Sequence, residues 1–123
     1  MKAVVDTNVI FAYLNEEDPY HKKAVNLIES LEKIYLPTVV IFELIFLFEK
    51  YNIDLKIIHY LLSSKEVEYV ETGLEDIYFA IRNNPKSYDK FDDLIILHTA
   101  LRLRVELVTF DKELKNLWIK TRK

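Results

Sequence analysis

Short apolar runs alternate along this chain with stretches whose apolar residues recur every three or four positions. That alternation predicts strands interleaved with helices. Residues 2–6, KAVVD, read as a short buried strand. The period then changes, and Val9, Ile10, Tyr13 and Leu14 share a helical face. Asp18-Pro19 has the form of an N-cap followed by proline at the first helical position, ahead of Tyr20, Ala24, Leu27, Ile28 and Leu31 at helical spacing. Residues 34–36 form a second strand, stopped by Pro37, after which Thr38 caps a long apolar helix. Asp54 caps another helix, with Ile57, Ile58, Leu61 and Leu62 on one face. Residues 67–70 alternate like a strand and 73–83 like a helix. A helix over 93–102, a strand over 106–110 and a helix from Asp111 to Trp118 complete the pattern.

Strands separated by helical stretches imply a parallel sheet with helices on its faces and right-handed crossovers. The chain has one glycine and three prolines, with no repeat or linker-like tract, so residues 1–123 read as one domain with short connections. In such sheets ligands bind beyond the carboxyl ends of the strands. Asp6 and Asp111 both fall at that edge, although they come from opposite ends of the sequence.

Composition narrows the field. Half the residues are apolar and 30% are charged, which suits a folded globular chain. There is no cysteine, hence no disulfide framework and no thiolate chemistry. No secretory leader pattern precedes the first strand, so the expected compartment is the cytoplasm. The apolar stretch over 34–48 is too short for a membrane span and contains Pro37 and Glu43. The net charge of −3 conceals a division: residues 1–80 carry 7 Lys/Arg against 14 Asp/Glu, whereas 81–123 carry 10 against 6. A basic second half suits either a phosphate-backbone partner or an ordinary solvated surface.

Four acids then stand out. Asp6, Asp93 and Asp111 lie where helices are expected to start, so each suits an N-cap as well as a ligand site. Asp92 competes with Asp93 for that cap. Glu43 has no such explanation. Its neighbours at helical spacing are Val39, Val40, Phe46 and Leu47, so it shares a face with apolar residues. An ionised carboxylate there must be protonated, paired with a cation or bound to a metal. Oxygen donors suit Mg²⁺ or Mn²⁺. Thr7, Asn8 and Thr109 stand beside these acids as possible supports, or as helix-start and turn residues. His21, His59 and His98 make no pair at zinc-ligand spacing, and one glycine builds neither a P-loop nor a dinucleotide fingerprint. A phosphatase that begins with strand and aspartate requires a second aspartate two residues on, where Asn8 stands.

Together the segments VVDTNVI, TVVIFELIF, DDLIILHTA and LVTFDKEL, in that order across nearly the whole chain, resemble the PIN-domain nucleases, and among them the VapC-like toxins of toxin–antitoxin pairs. The resemblance implies a three-layer α/β/α fold with a central parallel sheet of order 3-2-1-4-5. It implies Mg²⁺- or Mn²⁺-dependent endonucleolytic cleavage of single-stranded RNA. It makes Asp6, Glu43, Asp93 and Asp111 the metal-binding acids, supported by Thr7, Asn8 and Thr109. Asp93 is preferred to Asp92 because Ala100 follows it at the family's spacing, which leaves Asp92 and Glu113 as peripheral acids. An antitoxin and a second copy of the chain would be its protein partners. The other readings are a housekeeping RNA-processing nuclease of the same family and a non-catalytic module that binds RNA or protein. Lys86, Lys90, Arg102 and Lys112, with Arg82, Arg104 and Lys115, are candidates for contacting an RNA backbone, and Tyr13, Tyr88 and Phe110 for stacking on bases.

Overall fold

Among the described residues four strands, β1 (Lys2–Val5), β2 (Lys33–Pro37), β3 (Val67–Val70) and β4 (Glu106–Val108), form one sheet in the order β3-β2-β1-β4. Every pairing is parallel, with Ala3 opposite Ile34 and Glu106, and Tyr35 opposite Glu68. The structure is a computed structural model and describes residues 1–122. Successive strand residues point to opposite faces of a sheet. Ala3, Val4 and Val5 are all fully buried, so helices cover both faces of β1. The result is the expected α/β architecture. The order 3-2-1-4 is as anticipated. A fifth strand is not formed among the described residues, because the chain leaves β4 into a helix that continues to Thr121.

Among the described residues six helices connect the strands and a seventh follows β4: α1 (Thr7–Leu14), α2 (His21–Glu29), α3 (Thr38–Lys50), α4 (Lys56–Ser63), α5 (Leu74–Arg82), α6 (Tyr88–Leu103) and, last, α7 (Lys112–Thr121). The core runs through Val9 and Ile10 of α1, Val40, Leu44 and Phe48 of α3, and Ile95, Ile96 and Leu97 of α6, all essentially inaccessible. α3 and α6 pack together, and α6 also covers β1 and β4.

Several helix starts differ from the sequence reading, each for a local reason. Asp18 does not cap at Pro19. Its side chain accepts the Tyr20 N–H at 2.8 Å and its carbonyl accepts that of His21 at 3.0 Å, which makes a turn, and α2 starts at His21. Thr38 is the first residue of α3 rather than its cap. Its hydroxyl accepts the Thr72 N–H at 2.9 Å and meets the Tyr69 hydroxyl at 2.8 Å, tying α3 to the end of β3. Asp54 accepts the Lys56 N–H at 2.9 Å, one position ahead of the Leu55 cap. α6 begins five residues before Asp93, because Ser87 accepts the Lys90 N–H. Asp92 and Asp93 therefore lie inside a helix, and neither is its N-cap.

Candidate metal centre

Three sheet-edge residues set the frame. The Asp6 N–H donates to the Val108 carbonyl at 2.9 Å, which holds the residue after β1 against the end of β4. Asp6 is buried, at 5% exposure. Its Oδ1 accepts the Thr7 N–H at 2.7 Å as the α1 cap, and its Oδ2 accepts the Thr109 hydroxyl at 2.7 Å. Thr109 in turn accepts the Asp111 N–H at 3.0 Å. Asp111 caps α7 with one oxygen, Oδ1, which accepts the N–H groups of Glu113 and Leu114. Asn8 Oδ1 accepts the Phe110 N–H at 3.2 Å, clamping the same turn to α1. For Asp6 and Asp111 capping and site placement thus coexist, because a carboxylate has two oxygens.

Two helices bring the remaining acids to this edge. Glu43 on α3 accepts a short hydrogen bond from the Thr7 hydroxyl. Asp93 on α6 lines the same cavity. That cavity, of about 520 Å³, is bounded by Asp6, Thr7, Asn8, Glu43, Phe46, Leu47, Ser87, Asp89, Lys90, Asp93 and Asp111. All four acids singled out in the sequence therefore face one space, although they come from four separate elements.

The electrostatics are those of crowded carboxylates. Burial raises Asp6 above its ordinary value, and the Asp111 charge adds to this against the hydrogen bonds from Thr109 and Thr7. Glu43 is pushed up to about 8, first by burial and then by the charges of Asp92 and Asp6. Asp93 rises to about 7, through burial and then Asp6 and Asp111, with Lys90 acting the other way. Asp92, almost fully buried, is also raised by burial, while contact with the Glu43 carboxyl works against the rise. Asp92 is buried next to Glu43 and does not line the cavity.

The donor set suits a hard divalent cation. Every ligand-capable group facing the cavity is an oxygen donor, and Lys90 is the one basic residue lining it among the described residues. Lys90 is itself engaged by Glu113, 2.9 Å away. Among the described residues no three His, Cys, Asp or Glu side chains stand at the spacing that closes on a single ion. The hydrogen bonds from Thr7 and Thr109 and the two caps instead fix Asp6, Glu43 and Asp111 separately around the space.

The family model described as the PIN domain matches residues 3–118, which includes all four acids. The chain belongs to the PIN domain family. Its fold is similar to that of VapC20 from Mycobacterium tuberculosis, a sarcin–ricin loop cleaving toxin, with a TM-score of 0.78 over 94% of both chains at 17% identity. VapBC2 from Rickettsia felis, bound to a DNA fragment from its promoter, aligns at 0.65 and 20% identity over 94% of this chain and 92% of that one. A toxin–antitoxin complex from Klebsiella pneumoniae aligns at 0.67 and 19% identity over 90% and 88%. Among curated proteins nothing matches. At these identities the likeness is one of fold.

Other predicted residues of this PIN domain separate into groups. Lys86 and Lys90 line a cleft of about 280 Å³ with Asn83, Asn84 and Asp93, directly beside the acid cavity. Lys112 is exposed at the start of α7. Arg102 is not brought to the site. Its guanidinium grips the fully buried Asp76 at 2.9 and 3.2 Å, so it fastens α5 to α6. His98 serves the same carboxylate through Nδ1 at 2.6 Å and stacks on Phe79. Tyr13 is half-buried against the core, and Phe110 packs on Tyr20 beneath Lys23. Tyr88 remains exposed. The sequence reading missed Asp89, Phe46 and Leu47 on the cavity wall. Asp89 carried no signal once α6 was taken to begin at Asp93. The two apolar residues were indistinguishable from core until the exposed side of α3 was known. No described helix is long and apolar enough to cross a membrane.

Proposed function

We propose that this chain is a divalent-metal-dependent endoribonuclease that cleaves single-stranded RNA and acts as the toxin of a toxin–antitoxin pair. The observation that carries this reading is the convergence of Asp6, Glu43, Asp93 and Asp111 on one cavity at the carboxyl edge of the sheet. These four carboxylates would hold Mg²⁺ or Mn²⁺. When bound, such an ion supplies positive charge to the scissile phosphate and lowers the pKa of water toward neutrality.

The protein's own contribution is orientation. Thr109 and the Thr7 N–H fix both oxygens of Asp6, and the Thr7 hydroxyl fixes Glu43. Asp111 is anchored through its cap, which holds its carboxyl at the cavity rim. Lys90 lies on the wall that joins the acid cavity to the Lys86 cleft, where its ammonium can meet a phosphate on exchange from Glu113. Such placement of charge before the substrate arrives is what makes an electrostatic site effective. The antitoxin and a second copy of the chain are proposed as its partners, on the strength of the fold shared with toxin–antitoxin proteins.

The test is cleavage of end-labelled single-stranded RNA with EDTA, then with excess Mn²⁺. Cleavage should vanish in chelator and return with the ion. Asp6→Asn should lower the rate by about 10³-fold or more while the thermal unfolding profile keeps its shape. Cleavage that persists in chelator would refute the metal requirement. Full activity in Asp6→Asn would refute the site.

A further inference from the structure

We infer that an unpaired base flanking the cleaved phosphate stacks against Phe42, Phe46 and Tyr88, which form a specificity subsite beside the acid cavity. The inference rests on the proposed nuclease reading and adds to it the part of the substrate that selects where the strand is cut. Phe42 and Phe46 are 66% and 67% exposed, one helical turn apart on α3, and Tyr88 at the start of α6 is 75% exposed. With Val39, Glu43 and Asp89 they line a cleft of about 400 Å³. Phe46 lies three residues on from Glu43, at neighbour spacing on the helix surface, and Phe42 one turn before Phe46. The aromatic surface therefore begins beside a residue of the acid cavity.

Continuity decides the occupant. Glu43, Phe46 and Asp89 line both the aromatic cleft and the acid cavity. Lys90 and Asp93 in turn line both the acid cavity and the Lys86 cleft. One strand laid through all three spaces would present a base to aromatic rings, a phosphodiester to carboxylates and the next phosphate to lysines. Base–aromatic stacking with a cationic backbone track is the usual chemistry of single-strand binding. An apolar helix laid in the cleft would instead set its side chains against Glu43 and Asp89. Base edges carry N–H donors that such carboxylates can accept.

The test uses the full chain with Mn²⁺ and a short single-stranded RNA carrying 2-aminopurine next to a mapped cleavage position. Phe42→Leu, Phe46→Leu and Tyr88→Leu should each raise KM by about 5- to 100-fold, the range expected when a base stack is removed. The quenching of 2-aminopurine seen on binding to the inactive Asp6→Asn chain should weaken when any of the three is added. The cleavage positions in a randomised RNA pool should become less selective. Tyr60→Leu, on the exposed side of α4, is the control and should change none of these. Unchanged KM, quenching and site preference in all three variants would overturn the subsite while leaving the nuclease intact, and is also the result if the face serves another polypeptide. Failure of the unaltered chain to bind or cut any RNA would overturn both readings.

Discussion

Glu43 and Asp93 hold their protons well above the ordinary carboxylate range, at about 8 and about 7, because they are buried among other acids. A carboxyl whose folded pKa is raised favours the folded state at low pH, and that advantage is lost as pH climbs from the unfolded to the folded value. The metal-free protein should therefore lose thermal stability as pH rises from the ordinary Glu value of 4.5 toward about 8. Differential scanning fluorimetry in EDTA across that interval measures it, and a flat or rising melting temperature would contradict the crowded-acid account. Glu43→Gln keeps an acceptor for Thr7 and removes the ionisable group. It should flatten the slope and raise the melting temperature at high pH by about 4 °C for each kcal/mol of relieved repulsion. Proton release on Mn²⁺ addition, read by calorimetry in two buffers, should be largest near neutral pH, where these acids still carry protons.

At the scale of elements, α5 is fastened to α6 by a carboxylate with no exposure to solvent. Burial works to raise the pKa of Asp76, but Arg102, the Gly73 N–H and His98 outweigh it and hold the group below its usual range. Its stabilisation is thus present above the ordinary Asp value and fades in acid. Asp76→Ala leaves Arg102 facing a buried void, and should cost about 3–5 kcal/mol in urea unfolding. RNA cleavage per folded molecule should stay within twofold, whereas a selective loss of kcat would show that the pair communicates with the cavity. Arg104 ends α6 in the left-handed region, at φ 58° and ψ 45°. Such a backbone costs a non-glycine residue about 1–2 kcal/mol. Arg104→Gly should accordingly stabilise by about 1 kcal/mol, a change readable as a shift in the urea midpoint. α6 also shows how a wrong boundary hides chemistry. With its start placed at Asp93, the cap at Ser87 and the acid at Asp89 dropped out of view.

For the whole molecule, residues from both the acidic and the basic half of the sequence line the cavity and its adjoining cleft. Acids from residues 6 and 43 face Asp93 and Asp111 there, with Lys86 and Lys90 along the adjoining cleft. RNA binding should weaken with salt. Lys86→Glu and Lys90→Glu should each reduce affinity and flatten the log–log salt slope by about 0.7 for each phosphate that is no longer neutralised. Fluorescence anisotropy over a salt series decides it, since identical slopes would exclude both lysines from the track. Arg102→Gln should leave that slope unchanged, because its charge is committed to Asp76. The charge asymmetry of the sequence was real as a count, but it could not say which cations line the clefts and which are tied up in ion pairs.

The sequence by itself determined the fold class and singled out four acids. Period-two and period-3.6 apolar patterns reflect how backbones bury one side, and an acid on an apolar helix face announces an unusual environment whatever surrounds it. Which carboxylates share a space, which oxygen of Asp6 meets Thr109, that Asp92 is buried off the cavity wall, and that Arg102 serves Asp76 were decided by tertiary structure. Those pairings join residues as far apart as 6 and 109, and local patterning carries no information about contacts set by parallel strand register and by how α3 packs on α6.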